Sequence, residues 1–290
     1  MTAGYVWRSA LSSDSSDVWI GRSASRVGAA YIRRVTGPDH TRVEIDGRAA
    51  DADALALIEH RAWGHFTAMQ VRDGRTRGLD LHLARLQAAH RATYGADLDG
   101  ALIRDRIRHA LGGAPDASVR VYGYWAGLIV TVRQPELMPS RPHQVSSQHF
   151  QRAFAALKHP GSGAAQGYFL DRALAAGFDE ALLVDAQGTI AEGAITNVGF
   201  WRAGEIVWPD APALPGITML VLRRELDAQQ VAQRQASIRL ADLPAYDGMF
   251  LCNSRGWAPV DRVDDTPVPV PAAMTATIAR AYDAAAWDAI

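Results

Sequence analysis

Lysine is nearly missing from this 290-residue chain: of its 30 lysines and arginines, only Lys158 is a lysine. Cysteine is equally scarce. The single Cys252 excludes an internal disulfide and fits a reducing compartment. No apolar run is long enough to span a bilayer, and the N-terminus lacks the apolar centre of a secretory signal. An excess of positive or negative charge is missing too. A formal net charge of -1 and a pI near 6.8 leave no electrostatic footprint for nucleic acid or an anionic membrane. Nine histidines are scattered without HExxH or paired ligand spacing, and no CxxC is present, so no metal is expected. "PGSGA" lacks the spacing of a GxSxG nucleophile elbow. These absences point to a soluble, cytoplasmic protein acting on small molecules, with no nucleic-acid or membrane partner.

The length exceeds the usual single domain, and 48% hydrophobic residues support a sizeable core. Residues 1–40, with "SALSSDSSDVWIGRSASR", have no sustained periodicity and read as a loosely ordered extension. A smaller α/β domain is expected over 41–140. It holds a strand and turn at "RVEIDGRAAD", a strand, turn and helix through "GHFTAMQVRDGRTRGLDLHLARL", a second helix at "DGALIRDRIRHALGG" and paired strands in "SVRVYGYWAGLIVTVRQ". The proline-bearing "PELMPSRPHQ" marks the boundary. A larger α/β domain, 141–290, then carries the helical "AAQGYFLDRALAAGF", a meander from "EALLVD" to "EIVWP", a helix opened by "LPGIT", the strands of "DGMFLCNSRGWAPV" and a last helix over 271–287.

The stretch "FAALKHPGSG" poses the functional question. Abundant Ala, Gly and Asp beside the arginine bias suggest compositional drift, which replaces lysine wherever a plain positive charge suffices. Drift cannot replace a lysine whose amine must turn neutral and nucleophilic, because guanidinium stays protonated. One reading uses the glycines: Gly161, Gly163 and Gly167 form GxGxxxG, with Asp185 at a strand end where a ribose-binding acid would stand, as in a dinucleotide-binding module. The hairpin expected straight after Asp185 opposes it, since a doubly wound sheet needs another crossover helix there. The other reading uses the lysine as a Schiff base for a carbonyl cofactor or substrate. Pyridoxal 5'-phosphate (PLP) needs an amine, an acid for its ring nitrogen and an anion cradle. Glu192 at a strand end supplies a candidate acid. The free N–H groups of Ile217 and Thr218 at a helix start, with Asn253 and Ser254 in a loop, supply candidate donors, and Arg85 a bidentate charge.

The order of these motifs resembles the fold-type IV, or class IV, PLP enzymes: branched-chain aminotransferases, D-amino-acid aminotransferases and 4-amino-4-deoxychorismate lyases. The resemblance covers about residues 42–262. It implies two α/β domains with the cofactor in the cleft between them. From "HLARL" it implies Arg85 as a phosphate contact, and from "LKH" Lys158 as the Schiff-base residue. From "AEGAITN" it implies Glu192 as the pyridinium partner with Asn197 in support. "LPGIT" and "LCNS" are similar to its two phosphate loops, bringing in Ile217, Thr218, Asn253 and Ser254. It also implies a homodimer, and an amino donor and a keto acid as partners, with Lys158 moving the proton. Thr67 and "LCNS" look more like the lyase branch, which would release pyruvate. The tyrosine that follows the lysine in the branched-chain group is absent, and Gly161, Ser162 and Gly163 stand there. Arg255, beside the second loop, has two readings: a surface salt bridge, or a partner for a substrate carboxylate.

Overall fold

The computed structural model describes residues 42–50, 63–125 and 127–290. The extension expected over 1–40 lies outside them. Two sheets dominate. The first is built from β1 (Arg42–Ile45), β2 (Arg48–Ala49), β3 (His65–Val71), β5 (Ala117–Tyr124) and β6 (Gly127–Arg133). Its order is β2–β1–β6–β5–β3, antiparallel throughout. A period-two pattern sends Met69, Val71, Val119, Val121 and Val130 to one face. There they meet Leu86 of helix α1 (Leu79–Tyr94) and Ile103 and Ile107 of helix α2 (Gly100–Leu111), all essentially buried. The opposite face carries Phe66, Ala68, Arg120 and Tyr122.

The second sheet contains β7 (His143–His149), β8 (Glu180–Val184), β9 (Ile190–Gly193), β10 (Asn197–Arg202), β11 (Glu205–Pro209), β12 (Gln233–Ala236), β13 (Gly248–Asn253) and β14 (Gly256–Val263). They are ordered β12–β11–β10–β13–β14–β7–β8–β9, and β15 (Thr266–Pro267) pairs β14. Near-continuous apolar strands such as "EALLV" and "GMFLC" mark burial on both faces. One face packs Phe200, Leu251 and Val260 against Tyr246; the other packs Trp208, Phe250 and Cys252 against helices α4 (Ile217–Ala228) and α5 (Ala272–Ala284). The fold is mixed α/β, as expected.

Two local expectations need correcting. Gly161, Gly163 and Gly167 lie inside helix α3 (Pro160–Ala175), and irregular chain at 150–159 precedes it where a dinucleotide loop needs a strand. Strand β8 then turns back into antiparallel β9 with no crossover, so the dinucleotide reading does not hold. Strand β7, "HQVSSQH", is the other difference, since the sequence pattern predicts only a boundary segment running into it. It pairs parallel with both β14 and β8 at the sheet's interior, and its polar composition hides the alternation that would reveal it.

The last helix is also shorter than expected. It stops at Ala284, and Trp287–Ala289 forms β16, paired antiparallel with β4 (Arg75–Arg77). The guanidinium of Arg77 lies 4.0 Å from the ring centroid of Tyr282 and 4.5 Å from that of Trp287. Helix α1 begins after Gly78, a left-handed residue with no side chain to cap it. Asp288 does that work from the other end of the chain, its Oδ2 accepting from the Leu79 N–H at 3.0 Å. Replacing Asp288 with Ala should therefore destabilise the protein by about 1 kcal/mol, the usual contribution of an N-cap, while Asn keeps most of it. Chemical-denaturation midpoints of the two variants check this, and an Ala midpoint equal to wild type would remove the cap.

Candidate functional site

Lys158 sits in the irregular segment between β7 and α3. Its carbonyl accepts from the Phe66 N–H at 2.8 Å, which ties the segment to the edge strand β3 of the other sheet. Its Nζ lies 4.8 Å from the Phe66 ring centroid. The next residue begins the helix: His159 Nδ1 accepts from Ser162 N at 3.2 Å, and Pro160 occupies the first turn. Part of Lys158 remains accessible, but protein crowds its amine. Burial, then the charges of Arg85 and Arg152, bring its pKa down to about 7; Glu192 opposes them, and Arg120 adds to the fall.

Glu192, on β9, is 4% exposed. Burial raises its carboxyl, while Arg152 and the Leu214 N–H pull it back. Arg152 donates from Nε to Glu192 Oε1 at 3.0 Å, from Nη1 to the Leu157 carbonyl at 3.0 Å, and from Nη2 to the Ala155 carbonyl. One buried guanidinium thus holds the acid and the chain leading into Lys158 together. On its other side Glu192 Oε2 accepts from Leu214 N at 3.0 Å, while Asn197 Nδ2 donates to the Leu214 carbonyl at 2.7 Å. Glu192 and Asn197 grip the two polar groups of one residue's backbone. The grip needs glycine two residues later, because a Cβ on Gly216 would fall 1.8 Å from Asn197 Oδ1.

That clamped turn, Leu214–Pro215–Gly216, opens helix α4, where the N–H groups of Ile217 and Thr218 have no partner within the helix. Thr218 Oγ1 donates to the Asn253 carbonyl at 2.7 Å. Asn253 in turn donates from Nδ2 to Ile195 O at 3.2 Å and accepts from Arg255 N at 2.8 Å. Ser254 is half-buried in the same loop. Arg85, from helix α1, donates to the Pro215 carbonyl; burial and Arg152 bring its pKa down to about 10. Helix α1, the 214–218 turn and the 253–255 loop therefore meet at one place.

Thr67 and Arg255 complete the residues named from sequence. Thr67 points to the helix-facing side of β3, fully buried, with its hydroxyl 2.6 Å from His82 Nδ1. Burial, Arg85 and Lys158 push His82 down to about 3, so it is neutral at physiological pH. Arg255 Nη1 stands 3.4 Å from Glu136 Oε2, both partly exposed, the geometry of a surface ion pair. Sequence reasoning missed Arg152, Phe66 and Arg120, whose roles depend on contacts between distant segments, and passed over His82, although it opens the same "HLARL" run that carries Arg85. Among the described residues, no group of three His, Cys, Asp or Glu could hold a metal ion, and no helix is long and apolar enough to cross a membrane.

The arrangement joins a lysine that can be neutral near pH 7, a buried acid and a helix N-terminus beside an arginine. Comparison with known proteins agrees with that chemistry. The profile of the Amino-transferase class IV family matches residues 64–263, and the chain belongs to that family. A branched-chain aminotransferase from the thermophilic archaeon Thermoproteus uzoniensis superposes with a TM-score of 0.72 at 19% identity, over 83% of this chain and 93% of that one. A fold IV transaminase from Curtobacterium pusillum gives 0.72 at 20%, over 85% and 100%. A Legionella pneumophila structure assigned provisionally to 4-amino-4-deoxychorismate lyase gives 0.69 at 16%, over 78% and 92%. No curated protein sequence matches the chain at a significant level.

Because Lys158 is the chain's one lysine, its titration is directly readable. Labelling with an amine-selective reagent, followed by peptide mass spectrometry, should rise through a midpoint near pH 7, since only the neutral amine reacts. Removing the one neighbour that favours the ammonium, in Glu192→Gln, should move that midpoint lower. A midpoint near 10.5, the ordinary lysine value, would mean the amine is solvated.

Proposed function

We propose that the chain is a PLP-dependent aminotransferase that moves an amino group between an amino compound and a keto acid, with Lys158 as the residue that binds the cofactor. One observation carries this: the only lysine has its amine brought down to about 7, among a buried acid, an arginine and an uncapped helix N-terminus. When bound, PLP supplies an aldehyde for the amine and a protonated pyridine ring that withdraws electrons from the substrate Cα.

The donor set fits that group. Ile217 and Thr218 N–H, with Asn253, Ser254 and Arg85, suit a phosphate dianion at a positive helix end. Glu192 suits the ring nitrogen. Both its oxygens already accept one bond, from Arg152 and Leu214, but each carboxylate oxygen can accept a second. Asn197 holds the turn between acid and phosphate donors at constant spacing. Lys158, neutral in part near pH 7, accepts a proton from the substrate Cα and returns it as general base and acid. The phenyl ring of Phe66 shields the amine from water on one side.

The reading takes 41–140 as the smaller domain and 141–290 as the larger, with the cofactor between the two sheets. It takes the assembly as a homodimer and the compartment as cytoplasmic; sedimentation would give the subunit number. A second reading, a lyase releasing pyruvate, is favoured by the "LCNS" loop and by the likeness to the Legionella structure.

The protein purified with PLP should show a visible absorbance that Lys158→Ala removes, with turnover falling by at least about a thousandfold, as for loss of a covalent nucleophile. Full turnover in that variant would refute the assignment. Release of pyruvate without any keto acid acceptor would decide for the lyase.

A further inference from the structure

A second buried acid stands behind Glu192. Glu180 opens β8, is 2% exposed, and accepts at Oε1 from the Ala181 N–H at 2.9 Å. Next to it runs the turn from Gly193 to Thr196. Gly193 N donates to Thr196 O at 2.8 Å and closes the turn, and Ala194 N donates to Ala181 O at 2.9 Å and joins it to β8. Glu180 and the buried Thr196 side chain meet at Gly193, where a Cβ would fall 2.0 Å from Thr196 Oγ1 and 3.2 Å from Glu180 Cγ. The Thr196 hydroxyl makes no direct hydrogen bond among the described residues, yet it lies near enough to favour the ionised acid.

The turn links the parts of the site. Glu192 precedes it and Asn197 follows it, while Ile195 O accepts from Asn253 Nδ2 at 3.2 Å. Its movement therefore reaches the ring acid, the Leu214 clamp and the 253–255 loop together. Among the described residues no cation pairs with Glu180. Its partner on β7 is Val145, its chain neighbour Asp179 is taken up by Arg141, and Arg255, the cation that bears on it, turns its guanidinium to Glu136. Burial pushes the Glu180 carboxyl up to about 7, outweighing the Ala181 N–H, the Thr196 hydroxyl, the Ile195 N–H and Arg255, all of which favour the carboxylate.

We infer that Glu180 is a positioning residue: as a neutral acid it lets the 193–196 turn close behind Glu192, and its ionisation loosens that turn and the hold on PLP. The inference rests on the reading of Lys158 as the cofactor-binding lysine. Its sign follows from linkage. Opening the turn hydrates the acid and returns it to the ordinary 4.5, whereas the closed turn holds it near 7. The closed turn therefore keeps the proton longer, so its advantage is complete below 4.5 and is lost as pH rises toward 7. The same rise of pH frees the Lys158 amine. A gain in nucleophile is thus accompanied by a looser turn.

The test compares wild type with Glu180→Gln, an uncharged mimic of the neutral acid, each loaded with PLP. Hydrogen exchange of the 190–198 segment is read by mass spectrometry and corrected for the intrinsic effect of pH. Protection should be equal at about pH 5 and about tenfold greater in Gln at about pH 8, since one unit of pKa difference between closed and opened turn is tenfold in their equilibrium. PLP titrated into the stripped proteins should bind about tenfold more tightly to Gln at the higher pH and equally at the lower. Thr196→Val removes a group that favours the carboxylate, so it should carry protection to higher pH than wild type, and it decides the matter if Gln does not fold. Protection in Gln no greater than in wild type at the higher pH, greater protection without tighter PLP, or an unmoved midpoint in Val overturns the inference while the Lys158-dependent absorbance remains. A wild type without that absorbance overturns the underlying reading, and this inference with it.

Discussion

The buried ion pair between Arg152 and Glu192 joins three segments of the site. Two opposite charges in a low-dielectric interior hold only when further hydrogen bonds support both of them, and here they do. Arg152 directs its other donors to the Ala155 and Leu157 carbonyls, and Glu192 accepts from Leu214. Strand β9, the lysine-bearing segment and the turn before α4 are thereby fixed to one another by a few direct bonds. Removing either partner would leave a buried charge unpaired, a loss of about 3–5 kcal/mol, felt by three elements at once.

Cations also govern the lysine. Arg85, Arg152 and Arg120 all bear on Lys158, with only Glu192 opposing. Arginine serves this purpose because its own charge persists where a second lysine would lose its proton. The compositional bias toward arginine and the chemistry of the site therefore agree: permanent charges surround the one lysine, whose amine is brought down to about 7. His82, pressed below its usual range by burial and neighbouring charges, remains neutral and serves Thr67 as a hydrogen-bond partner.

Much of the fold and of the site is legible in the residues alone. Period-two and helical patterns locate most strands and the helices around the site, since burial on one face leaves a regular trace in apolar spacing. Lys158, Glu192, Asn197 and the "PGIT" turn can be found because their chemistry or their local turn is short-range. Strand β7 cannot, its Gln, Ser and His residues giving no alternation. Nor can the true end of the last helix, where pairing of Trp287–Ala289 with β4 overrides a sequence that helical propensity would continue.

By itself, then, the sequence determined the mixed α/β class, the identity of the one lysine that could serve as a nucleophile and the order of the segments around it. These follow from composition and from local periodicity. Only the tertiary structure decided that Arg152 pairs with Glu192, that both Glu192 and Asn197 grip Leu214, that Asp288 caps a helix 209 residues earlier, and that Arg120 faces the same side as Phe66. Each depends on strand register and on contacts between distant segments. A shift of one residue in β5 would exchange Arg120 for a buried valine; alternation within β5 separates Arg120 from the valines, but which residues of β3 stand beside it is decided only by the pairing.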